Sequence, residues 1–257
     1  MNELSALLAG AQTLFFAGFA TFVRVAGVVS VMPGFGERFI PIRIRLALAL
    51  VFTAVVMPAV GQTEAMTFAP TILTLSKLAK EALVGLFFGL FLRFFVIVLQ
   101  IAGSIAAQSI SVSQIFGGAA GVDPQPAIAH FLVVAATALA VILDLHLEFA
   151  AYLLKSYALV PLGTLPARHD VVSVGVARIS QTFSLGFSLA APFVIASVIY
   201  NVTLGFINRA MPQLMVSFVG APALTAGGLL LFVFAAPVML SVWTAAFESF
   251  LTHFGVQ

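Results

Sequence analysis

Asn208-Arg209-Ala210-Met211-Pro212-Gln213 is a polar island between two long apolar runs. Residues 183–206 before it and 214–247 after it contain no charged side chain. An arginine is costly in hydrocarbon unless it reaches water, a lipid phosphate or a protein partner. The simplest arrangement is a helical hairpin with the island at its tip. That makes Asn208, Arg209, Pro212 and Gln213 candidate interface residues.

The rest of the chain repeats the theme. Of its 257 residues, 62% are hydrophobic and 8% charged, against about 25% charged in soluble domains. Mean hydropathy is +1.18. One soluble core could not bury that much apolar surface, so an integral membrane protein or the core of a large apolar assembly is expected. Six apolar runs stand out, at about 4–32, 46–60, 82–107, 127–154, 183–206 and 214–247. A helical span needs about 20 residues, so the second run is short and the last is long. Pro33, Pro58, Pro192, Pro222 and Pro237 fall within or at the ends of runs, where each can bend or end a helix. The expected class is an all-α membrane protein of bent helices and helical hairpins.

Several classes are excluded or disfavoured. The chain has no cysteine, hence no disulfide framework and no thiolate metal site. No secretory signal peptide is expected, because no basic residue precedes Arg24. A net charge of +2 does not point to nucleic acid. Nor does charge orient six simple spans: the alternate loops carry four basic residues on one side and five on the other, without the usual cytoplasmic excess. Hairpins that enter without crossing would account for this.

Three groups of residues could carry function. Arg93 interrupts the third run, and Asp144 and Glu148 lie four apart near the end of the fourth, with His146 between them. Intramembrane ionisable groups are candidates for proton relays. The plainer readings are a position at the water interface, or a structural clamp between Arg93 and a carboxylate. The second group is the loop at residues 108–126, where Gln114, Phe116, Gly117, Gly118, Gly121, Asp123 and Pro124 form an almost uncharged, glycine-rich stretch. Glycine there permits unusual backbone angles, which suits a movable closure as well as a surface turn. The loop lacks the Gly-Lys-Ser/Thr ending of a phosphate-binding loop. The third group is the pair of small-xxx-small motifs, Gly85/Gly89 and Gly103/Ala107, which allow close helix approach. No HExxH or GxSxG motif occurs, so no catalysis is expected.

Val23-Arg24-Val25, then Val31-Met32-Pro33-Gly34-Phe35-Gly36-Glu37-Arg38, then Ile40-Pro41-Ile42-Arg43-Ile44-Arg45-Leu46 resemble the N-terminal signature of the FliR family of flagellar type III export-gate proteins, related to the injectisome SctT family. Leu145-His146, Ser156-Tyr157 and Pro161-Leu162-Gly163 resemble its middle. Leu204-Gly205-Phe206-Ile207-Asn208-Arg209-Ala210-Met211-Pro212-Gln213, then Val219-Gly220-Ala221-Pro222, resemble its C-terminal hairpin. The middle loop departs most, being richer in glycine at residues 114–121 than the family pattern.

The resemblance implies a subunit of a closed gate in the bacterial inner membrane, at the flagellar basal body. Its partners would be FliP-like and FliQ-like subunits, FlhB-like and FlhA-like export components, membrane lipids and the unfolded exported proteins. No nucleic acid and no cofactor are implied. Residues 1–182 would be a FliP-like portion, with a plug-like loop at 108–126, and residues 183–257 a FliQ-like hairpin. Arg24, Pro33, Arg38, Pro41, Arg43 and Arg45 would be family-motif residues serving assembly. The alternatives are the equivalent injectisome subunit, a secondary transporter using Asp144 and Glu148, and an intramembrane enzyme. Transporters usually show paired repeats, which these runs do not form, and the enzyme reading lacks a motif.

Overall fold

In the computed structural model, the structure describes residues 2–36, 40–63, 75–110, 126–211 and 216–254. Among them there are seven helices and no strand. The helices are α1 (Asn2–Val31), α2 (Ile42–Thr63), α3 (Leu75–Ser109), α4 (Ala127–Ile142), α5 (Leu145–Leu159), α6 (Arg168–Ala210) and α7 (Val216–His253). This is an all-α membrane protein. Five helices are long and apolar enough to cross a membrane, and α4 with α5 could form a sixth, bent span. At about 1.5 Å per residue, the 35 residues of α3 and the 43 of α6 reach well beyond a hydrocarbon core of about 30 Å.

Two features differ from the sequence expectation. The run at 127–154 is two helices, broken by a bend of 87°. The break at Leu143 and Asp144 contains neither glycine nor proline, and Asp144 adopts left-handed backbone angles with φ 55°. Pro58, Pro192, Pro222 and Pro237 lie inside helices instead. Neighbouring groups can re-satisfy the backbone that proline frees in membrane helices. Second, the interval between the apolar runs at 127–154 and 183–206 is mostly helical. α5 continues to Leu159, and α6 starts at Arg168. Pro166 precedes α6, and Asp170 lies in its first turn, where a carboxylate complements the helix dipole.

The chain divides into two compact units. The first comprises Met1–Phe94, Ala140–Arg178 and Phe247–Gln257. Here α1 packs on α2, and α2 on α5. α1 also crosses α3 at backbone contact. A Cβ on Gly27 would stand 3.1 Å from the Gly85 Cα, and one on Gly89 would stand 2.9 Å from the Val28 carbonyl oxygen. The pairing Arg24–Gly85 and Val28–Gly89 makes the two helices locally parallel. Phe88, Phe91, Tyr152, Phe250 and Phe254 form a connected aromatic cluster.

The second unit comprises Phe95–Leu139 and Ile179–Ala246. Gly103 of α3 faces the backbone of Ala129 in α4, Gly186 of α6 receives Ile101, and Gly228 of α7 receives Ile110. The indole of Trp243 is buried and donates to the Phe95 carbonyl at 2.8 Å. Phe232 of α7 sits between Phe131 and Phe193.

Candidate functional site

The densest polar constellation in the first unit is centred on Arg24. It is fully buried, as is Glu81. The close crossing of α1 and α3 brings the two together. Glu81 lies one turn before Gly85, and Gly85 faces the Arg24 backbone. Any side chain at Gly85 would push the crossing apart.

All five guanidinium N–H groups meet acceptors. Nε donates to Glu81 Oε2 at 2.6 Å and Nη2 to Glu81 Oε1 at 3.0 Å, a bidentate fork. Nη1 donates to the carbonyls of Val160 at 2.8 Å and Ser156 at 3.3 Å, and Nη2 also reaches Pro161 O at 3.5 Å. The guanidinium carbon lies 3.9 Å from the centroid of the Tyr157 ring, in cation–π geometry. Glu81 Oε1 accepts the Gly163 N–H at 2.6 Å. Gly163 has φ 79°, a left-handed angle that favours glycine.

Arg24 thus places a cation on the C-terminal carbonyls of α5, the end where helix dipoles favour positive charge. Lys155 of α5 does the same for α7, donating to Thr252 O at 2.6 Å and Leu251 O at 3.1 Å. A buried ion pair is tolerated only when its remaining hydrogen-bonding capacity is met, and here it is. The arrangement offers no nucleophile with a base beside it. Among the described residues, no group of His, Asp and Glu could hold a metal ion. The site holds chain segments together.

Of the residues selected from sequence, Arg24 lies in this clamp. Pro33 is buried just after α1, Pro41 precedes α2, and Arg43 and Arg45 lie in its first turn, exposed and half-buried respectively. Arg38 lies outside the described residues. Arg93 is half-buried in α3. Asp144 is exposed at the bend and Glu148 stands in the first turn of α5, so they do not share one regular helix. His146 is in α5, and its side chain is outside the described ones. Asn208 and Arg209 are exposed in the last turn of α6. Pro212 and Gln213 fall outside the described residues, as do Gln114, Phe116, Gly117, Gly118, Gly121, Asp123 and Pro124.

Sequence reasoning missed Glu81 and Lys155, which fall just outside the apolar runs at 82–107 and 127–154. A structural clamp of the kind considered for Arg93 is built by Arg24. The available signal was a lone arginine inside a 30-residue apolar helix, which requires a partner.

The described residues thus form an all-α membrane chain built around a saturated structural clamp. The chain belongs to the bacterial export proteins, family 1, whose family model matches residues 15–250. It is 34% identical over 242 residues to the flagellar biosynthetic protein FliR of Caulobacter vibrioides, covering 91% of this chain and 93% of that one. It is 27% identical to FliR of Escherichia coli, covering 81% and 80% of the two chains. With FliR of Aquifex aeolicus the identity is 24%, over 91% and 90%.

Proposed function

We propose that this chain is a core subunit of the flagellar type III protein export gate. With FliP-like and FliQ-like subunits it forms the closed channel through which unfolded flagellar proteins leave the cell. FlhB-like and FlhA-like components adjoin it in the inner membrane at the basal body. The observation that carries this reading is the likeness to flagellar FliR over 91% of the chain, within an export family whose model covers residues 15–250.

Helix length supports a role inside an assembly. Exposed apolar residues along α6 run from Val172 to Ile207, a rise of about 50 Å. A tilt within the usual range of about 0–40° cannot immerse all of it in a core of about 30 Å. Other subunits cover the remainder. In this reading residues 1–182 are the FliP-like portion, 183–257 the FliQ-like hairpin, and 108–126 the plug that seals the passage at rest. Arg209 contacts a neighbouring subunit at the hairpin tip.

Co-expression tests it. The tagged chain should co-purify with the FliP-like and FliQ-like proteins of its own bacterium and accumulate poorly without them. A stable, monodisperse protein that ignores both would oppose the proposal.

A further inference from the structure

We propose that Arg24 and Glu81 are positioning residues that lock the α5–α6 connector, residues 160–167, in one conformation. A charge pair needs only the fork between the two side chains. Here three of the five Arg24 donor contacts go to the carbonyls of Ser156, Val160 and Pro161. The remaining contact of Glu81 is the Gly163 N–H. The pair therefore spends much of its hydrogen-bonding capacity on the connector.

Hydrogen bonds with Arg24 and Glu81 reach the connector at Val160, Pro161 and Gly163. Val160 is buried, but Pro161, Thr164, Leu165 and Ala167 are exposed. Within the connector, the Thr164 N–H and hydroxyl both donate to Pro161 O. On the α3 side, the Lys77 side chain lies 3.7 Å from where a Cβ on Gly163 would stand. The anchoring groups come from 82 and 137 residues away in sequence. The connector leads directly into α6, so the clamp fixes how that long helix leaves α5.

The absence of cysteine allows a clean test by paired cysteines and a short bis-maleimide. Lys77→Cys with Thr164→Cys reports the connector. Gly18→Cys with Met57→Cys reports the α1–α2 packing, where a Gly18 Cβ would lie 3.1 Å from the Met57 sulfur. Two clamp variants are read in full-length membrane-inserted protein. Arg24→Lys keeps the charge but loses the planar fork. Arg24→Met with Glu81→Leu replaces the buried pair by apolar side chains, an exchange that is often neutral for stability. In each variant that accumulates, connector cross-linking should fall about fivefold or more as the fork is lost, with the α1–α2 cross-link unchanged. Unchanged connector cross-linking in either variant overturns the proposal, as does an equal fall at both reporters. If neither variant accumulates, the pair serves folding of the whole unit, and the positioning role is likewise overturned.

Discussion

Gly85 lies directly against the backbone of Arg24, and a Cβ at Gly85 would overlap the Arg24 carbonyl oxygen. That closeness is what lets Glu81, one turn earlier on α3, reach a guanidinium on α1. Gly85→Ala and Gly89→Ala should each destabilise the protein by about 1–3 kcal/mol through overpacking. Gly175→Ala and Gly205→Ala meet open space and should stabilise it by about 0.5–1 kcal/mol. Thermal unfolding in detergent checks both directions.

The backbone of α3 receives an extra donor in each unit. The Tyr152 hydroxyl donates to Phe88 O at 2.9 Å, and the Trp243 indole to Phe95 O at 2.8 Å. Tyr152→Phe removes only the hydroxyl and should cost about 0.5–1.5 kcal/mol. Trp243→Phe also removes buried volume and should cost more, about 1–3 kcal/mol, since its site collapses only partly. Denaturant titration with a probe in each unit should register the losses in that order.

Lys155 closes the end of α7. Lys155→Met keeps an apolar stem but withdraws the donors from Leu251 O and Thr252 O. The cost should be about 0.3–1 kcal/mol, concentrated at the helix end. Hydrogen exchange should accelerate over residues 250–254 and stay unchanged in α1.

The bend between α4 and α5 depends on the left-handed Asp144. Asn and Gly tolerate such angles, whereas a β-branched residue resists them. Asp144→Asn, which keeps a side chain that tolerates these angles, should leave stability within about 0.5 kcal/mol. Asp144→Val should cost about 1–2 kcal/mol, again measured by unfolding.

Local signals in the sequence located much of the fold. Long apolar runs marked α1, α2, α3, α6 and α7, and Gly85/Gly89 and Gly103 marked the close crossings. The bend at Leu143–Asp144 was not legible, because the flanking apolar residues continue without glycine or proline. The helical part of 168–182 was hidden by His169, Asp170 and Arg178, whose polarity interrupts the apolar pattern although no proline does. The clamp was half-legible. A buried arginine demands a partner, but Glu81 and the carbonyls near Pro161 are joined to Arg24 by folding, not by sequence spacing. Those are long-range contacts, which no local periodicity records.

The central claim is that the chain is part of the export gate, and secretion tests it most directly. In its own bacterium, the gene would be deleted and restored on a plasmid, and flagellar proteins released to the medium measured with and without it. The account predicts that export stops in the deletion strain, while the same proteins are still made inside the cell, and that the restored gene recovers it. Undiminished export of flagellar proteins from the deletion strain would contradict the account.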